Sequence, residues 1–261
     1  MIGLLRSLRK KTTNNGKTQK YLLYALGEIA LVVIGILIAL QINNWHTDYQ
    51  NRRQEKQILK QLREEYGSNL LQIKEKIEIR NLMVQSFLTL LSYRTSEGVT
   101  SDSVDFHLQR VMTWPTFDPE LGITNELISS GKLYLIENGE IRKQLTTWFK
   151  YVDELKEEEV ILTKWIVEDL YRFIRKHYQI GNIQKTVDSG YRELYSLTEG
   201  AYFDNIEFIQ GDTEGLLGHP DFEDLLAQIL WHVQYTNIQS AGVRQAIETI
   251  LLLLDNELAE H

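Results

Sequence analysis

One acidic side chain stands inside a long apolar run: Glu28, in YALGEIALVVIGILIALQINNW, residues 24–45. A carboxyl at membrane depth carries a proton or ion, meets a hydrogen-bond donor on a neighbouring helix, or turns toward the headgroups. A relay needs further ionisable groups, and this run has no other Asp, Glu, Lys or Arg. At 100° per residue Gly35 and Ala39 fall within about 20° of Glu28, so the acid shares a stripe with a small-xxx-small pair. Glu28, Gly35 and Ala39 are therefore the candidate helix–helix interface, facing another copy of this chain or another membrane protein. The alternative is a Glu28 drawn to the headgroups, with two small residues nearby by chance.

The other residue types suited to chemistry lack the spacing for it. None of the six histidines has Glu three residues before it, and there is no H-E-x-x-H, so the helical metal pairs are missing. There is no cysteine, and no G-x-S-x-G, P-loop or G-x-G-x-x-G motif. The run KEEEV, residues 156–160, is read as a solvated face, because adjacent acids on a helix point in different directions. His232 falls close to an apolar stripe and is read as a core or boundary histidine. No metal and no cofactor are implied, and the chain is not expected to be an enzyme.

Residues 21–42 include 13 Leu, Ile or Val, and as a helix they cover about 33 Å, enough to cross a hydrocarbon core. Their summed insertion energy outweighs the roughly 2.5–3.5 kcal/mol of a central acid. Lys20, Tyr21, Tyr24 and Trp45 stand where interfacial anchors belong. Arg6, Arg9, Lys10, Lys11, Lys17 and Lys20 precede the span with no acid among them. That excess points to a cytoplasmic N-terminus and an exported body. A cleaved signal peptide is the rival reading, but the run ends IALQINNW without an A-x-A site and exceeds the usual apolar length.

The expected organisation is a basic cytoplasmic tail over 1–20, a transmembrane helix over 21–42 and an extracytoplasmic helical domain over 43–261. The net charge is −8, and with the basic tail and Glu28 set aside the body carries −13. Such a body has no electrostatic footprint for nucleic acid.

KYLLYALGEIALVVIGILIALQINNW, residues 20–45, resembles the N-terminal signature of the family catalogued as domain of unknown function 6090. TNELISSGKLYLIENGEIRKQL, residues 124–145, resembles a second familiar stretch of it. The resemblance implies a single-pass envelope protein of a Gram-negative bacterium with a basic tail and a variable helical body. It brings no activity and no catalytic residues.

Beyond Trp45 the pattern is all-α. Ile58, Leu62, Tyr66, Leu70, Ile73, Ile77, Val84, Phe87 and Leu91 recur at threes, fours and one seven, a long amphipathic helix able to continue from the span as a stalk. A shorter helix follows near residues 103–113. Asp118, Pro119 and Glu120 read as cap, first position and acidic first turn of the next, which stops at Gly131. Asn138 restarts a helix carrying Ile141, Leu145, Trp148, Val152, Leu155, Leu162, Ile166, Leu170 and Phe173 to about His177. A third begins at Pro220 with Leu226, Ile229, Val233, Val243, Ile247, Ile250 and Leu254, its stripe interrupted by Thr236 and Ser240. The fold expected is an antiparallel helical bundle on the continued span. Residues 196–220, with Tyr202, Phe203 and Phe208, read either as a recognition loop or as a lid on the core.

Two function classes fit. One is a membrane-anchored interaction or scaffold protein of the cell envelope, with the bilayer and a span partner as its contacts. The other is a ligand-sensing bundle signalling through its span; with only about 20 residues on the inner side it needs a partner to read it, so the first class is preferred.

Overall fold

The structure is a computed structural model that describes residues 16–185 and 206–260. The fold is all-α, and no strand occurs among the described residues. Helix α1 spans Gly16–Tyr93, α2 Ser101–Val111 and α3 Gly122–Ser129. After a 3-10 turn at Lys132–Leu135, α4 spans Gly139–Lys164, a π-helical segment Trp165–Leu170 and α5 Tyr171–His177. The short helices α6, Ile180–Lys185, and α7, Thr213–Leu217, precede α8, Pro220–Glu260. The chain divides into two compact units, Met1–Gln57 and Ile58–His261, and α1 contributes to each.

In the first unit α1 exposes aliphatic side chains on every face: Leu22, Ile29, Leu31, Val32, Ile34, Leu37 and Ile42 among them. A helix apolar all round is stable only where apolar surroundings cover it. This one is long and apolar enough to cross a membrane. Residues 1–15, most of the expected basic tail, lie outside the described residues.

In the second unit three long helices lie side by side, and long-range pairs give their directions. Arg63 meets Asp255, Lys74 meets Glu248 and Arg94 meets Glu223, so α8 runs antiparallel to α1. Asn138 bonds Glu257 while Glu158 lies by His232, so α8 is antiparallel to α4 as well. α1 and α4 therefore run the same way, and residues 101–138 make the return. Tyr93 meets Ser103, Ser86 meets His107 and Gln72 meets Asp118, a steady descent along α1.

Several boundaries follow from local chemistry. Gly131 has φ 69° and ends α3 in the left-handed conformation that glycine takes without strain. The Asn138 carboxamide accepts from the N–H groups of Glu140 and Ile141 at 2.9 and 3.3 Å, capping α4. Asp221 and Glu223 complement the positive end of α8.

Asp118, Pro119 and Glu120 do not start α3, which begins four residues after Asp118 with Leu121 at its cap. The cap comes from another helix: the buried Glu65 carboxylate of α1 accepts from Ile123 N at 2.6 Å, Thr124 N at 3.2 Å and Thr124 Oγ1 at 2.6 Å. A carboxylate at a positive helix end replaces the missing local cap. The final part of the expected long loop also differs. α7 forms within it, with the Asp212 carboxylate accepting from Gly215 N, and its Leu216 and Leu217 are buried in the core. That supports the lid reading for this part; Tyr202 and Phe203 lie outside the described residues.

Candidate functional site

Each of the three apolar stripes has a gap. In α1 it falls between Ile77 and Val84, in α4 between Leu155 and Leu162, and in α8 between Val233 and Val243. Arg80, Glu159, Thr236 and Ser240 occupy the gaps, at 0, 3, 0 and 0 % exposure. Because the helices pack side by side, the gaps meet as one polar layer. It separates a cluster around Met83, Phe87, Ile166 and Phe222 from one around Leu62, Tyr66, Trp148 and Ile247.

The Arg80 guanidinium is the centre of the layer. It donates through Nη1 to Ser240 Oγ at 2.7 Å and through Nη2 to Pro115 O at 3.1 Å and to Glu159 Oε1. The other carboxylate oxygen of Glu159 accepts from Phe117 N at 2.9 Å. Burial pushes the guanidinium down and the carboxyl up from their ordinary values, and each partner opposes the shift in the other. Glu159 corrects the solvated-face reading of KEEEV, since it points inward while Glu157 is exposed. His232 is a buried histidine, within the core-or-boundary reading: it is 4 % exposed and its Nε2 lies 3.0 Å from Glu158 O.

Residues 113–121 form a strap without regular secondary structure that the layer holds at one end. Asn69 bonds both backbone groups of Glu120, Nδ2 to O at 2.8 Å and N to Oδ1 at 2.7 Å. Gln72 does the same for Asp118, at 3.0 and 2.8 Å. The side-chain amides thus satisfy the strap's backbone as a neighbouring strand would. Glu65, Asn69, Gln72 and Arg80 form a continuous clamp along α1.

Beside the strap lies an open groove of about 590 Å³, with Trp114, Phe117, Val160 and Val167 on its walls and Glu159 at its inner side. Trp114, Val160 and Val167 are 45, 59 and 43 % exposed, a concentration of apolar surface off the core stripes. At Val167 the groove meets a second concavity, about 380 Å³, lined also by Tyr171, Arg172, Arg175 and Lys176. Val167 belongs to the π-helical segment, in which the wider turn closes with Tyr171 N donating to Ile166 O. π-Helical turns inside α-helices are rare and recur at functional sites. Nothing in the spacing of 165–170 signals the π turn; the three gaps and the off-stripe valines are the signals that mark the layer and the groove.

The candidates in the first unit are placed on one exposed helix. Glu28, Gly35 and Ala39 are all exposed, and a Cβ added at Gly35 would meet nothing within 4 Å. Trp45 is 74 % exposed. The side chains of Lys20, Tyr21 and Tyr24 lie outside the described set. Among the described residues no group of three or more His, Cys, Asp or Glu side chains is arranged to hold a metal.

One further buried acid lies apart from the layer. Asp105 is 3 % exposed and its Oδ1 has no hydrogen-bond partner. Burial pushes its carboxyl up to about 6, with Asp102 adding to the rise and the Tyr178 hydroxyl opposing it. An acid whose folded value is raised holds its proton longer folded than unfolded, so the stability this group contributes is fullest below about pH 4 and is lost as pH rises to 6. Asp105→Asn is expected to remove that fall and to raise stability at pH 7 by about 1–3 kcal/mol. Urea unfolding at pH 4, 5, 6 and 7 measures it; parallel pH profiles for the two proteins would show that Asp105 does not titrate in this way.

Residues 28–155 match the model of a family of unknown function, DUF6090, a stretch that contains Glu28 and the whole α1 clamp of the strap. No curated protein and no solved structure matches the chain.

Proposed function

The chain belongs to the DUF6090 family of unknown function, and from that premise we propose that it is a membrane-anchored helical interaction or scaffold protein of the cell envelope. The observation that carries the proposal is the run of aliphatic side chains exposed around α1 between Leu22 and Ile42, surface that water does not favour and a bilayer does. In this reading the span is retained in the cytoplasmic membrane, its basic flank stays in the cytoplasm and the acidic body is exported. The role is binding rather than catalysis. Its contacts are the bilayer and a second helix, from another copy or another membrane protein, seated on Glu28, Gly35 and Ala39.

Alkaline phosphatase, active only outside the cytoplasm, fused after His261 is expected to be active and to sediment with membranes. Activity confined to a soluble, shortened product would mean that the apolar run is a cleaved signal. In a membrane two-hybrid assay of the span, Gly35→Ile is expected to weaken association by blocking close approach, and Glu28→Gln to be milder than Glu28→Leu. Effects are of the order of 0.6–2 kcal/mol, the range of interhelical polar contacts in bilayers. Unchanged association and abundance in all three variants would remove the interface.

A further inference from the structure

We propose that the groove beside the strap binds a single-chain anionic amphiphile, an acyl chain with a carboxylate head. The groove shares Val167 as a lining residue with a second concavity of different chemistry, which extends the proposed site. The larger has Trp114, Phe117, Val160 and Val167 on its walls. Its charged groups offset one another: Lys156 and Lys164 stand against Asp118 and Glu168, while Glu159 is taken up by Arg80. The smaller presents Arg172, Arg175 and Lys176 with no acid among its lining residues. All three cations are exposed and none is in an ion pair among the described residues.

That concentration of positive charge is notable on a body whose net charge is −13. A uniformly acidic surface repels anions, and a local cationic mouth opening onto an apolar trough attracts those with an apolar body. The trough's volume of about 590 Å³ is within the range of small-ligand sites. Although Thr116, Thr163 and the offsetting charges also line the larger compartment, its exposed wall is predominantly apolar, so the chain meets mostly apolar surface and the head is held by charge. Arginine suits that head, because its planar fork pairs with a carboxylate through two bonds. The inference is independent of the anchoring proposal, since every residue in it belongs to the second unit and the fit does not depend on which side of a membrane that unit occupies.

The test uses the full chain in nanodiscs of zwitterionic lipid and two diazirine-bearing probes of equal chain length, hexadecanoic acid and hexadecanol. After photolysis, labelled peptides are mapped by mass spectrometry. The acid is expected to label peptides carrying Trp114, Val160 or Val167, and unlabelled hexadecanoic acid to compete. The alcohol is expected to label them about tenfold less, and Arg172→Glu with Arg175→Glu to reduce acid labelling by about tenfold, the worth of two exposed charge pairs. Labelling of the span reports probe partitioned into the nanodisc and should be equal throughout. Both arginines are exposed, and an unchanged melting temperature keeps the double variant interpretable; Arg172→Gln with Arg175→Gln is the milder second variant. Equal groove labelling by acid and alcohol, labelling indifferent to the arginines, or labelling of the span alone would overturn the proposal. So would a groove occupied instead by an acidic helical peptide or a second copy, detected as chain-to-chain cross-links that hexadecanoic acid does not displace.

Discussion

Arg80→Met is expected to destabilise the body by about 3–5 kcal/mol, the cost of breaking a buried pair by removing one partner. The variant leaves Glu159 at 3 % exposure with Phe117 N as its remaining donor. It also strips Pro115 O and Ser240 Oγ of their donor. The double variant Arg80→Met, Glu159→Met removes both charges and is expected to recover a large part of that loss, since apolar replacement of a complete buried pair is often neutral or better. Denaturant unfolding of the full chain in mild detergent, followed by circular dichroism, gives both numbers. A single variant within about 1 kcal/mol of the parent, or a double variant as unstable as the two singles summed, would mean that the pair is not coupled as the geometry implies.

The layer also bears on why these helices pack in one register. A purely apolar interface tolerates a slide of one turn, because another aliphatic residue takes each place. Arg80, Glu159 and Ser240 come from three helices and hydrogen-bond one another only when all three gaps are level, with Arg80 Nε left without a partner. A slide of α8 by one turn in the direction that brings Val243 into the place of Ser240 would leave the guanidinium facing an aliphatic side chain. Buried polar residues used in this way trade stability for register.

The contrast between stripe and gap explains what the sequence made legible. Apolar periodicity places α1, α4 and α8, the cap at Asn138 and the start at Pro220 set where α4 and α8 begin, and Gly131 stops α3, because each is a local effect of a few residues. The layer is a tertiary effect. Arg80 on its own is indistinguishable from a solvated arginine, and Glu159 is hidden among three neighbouring charges in KEEEV; only the coincidence of three gaps marks them. Asp118, Pro119 and Glu120 mislead for the same reason. Their types favour a local helix start, yet Gln72 and Asn69 bind the backbone of Asp118 and Glu120 and hold the strap out of helix. The cap then comes from Glu65, some sixty residues away in sequence, which no local pattern can reveal. The span candidates rest on periodicity alone, since a helix interface is completed by a second helix.

Trp148→Ala is expected to cost about 3–5 kcal/mol, as large aromatic truncations in a core do. Trp148 is fully buried on α4, edge-on to Tyr66 with ring centroids 5.3 Å apart and to Phe117 at 6.5 Å. Removing it deletes both ring contacts, each worth about 0.5–1.5 kcal/mol beyond area burial. Trp148→Phe separates packing from polarity. The indole N–H is buried without a hydrogen-bond partner, so phenylalanine leaves a smaller cavity and also removes a group whose burial costs about 1–3 kcal/mol. Its net effect should stay within about 1.5 kcal/mol of the parent. Thermal and urea unfolding distinguish the two, and equal losses for Ala and Phe would mean that the indole N–H has a partner. The alanine variant should also reach the polar layer, because Phe117 leans on Trp148 and gives its N–H to Glu159. In a double-mutant cycle Trp148→Ala and Glu159→Gln should therefore be non-additive by more than about 0.5 kcal/mol. Strict additivity would show that the strap keeps its place without the tryptophan, held by Asn69, Gln72 and Arg80.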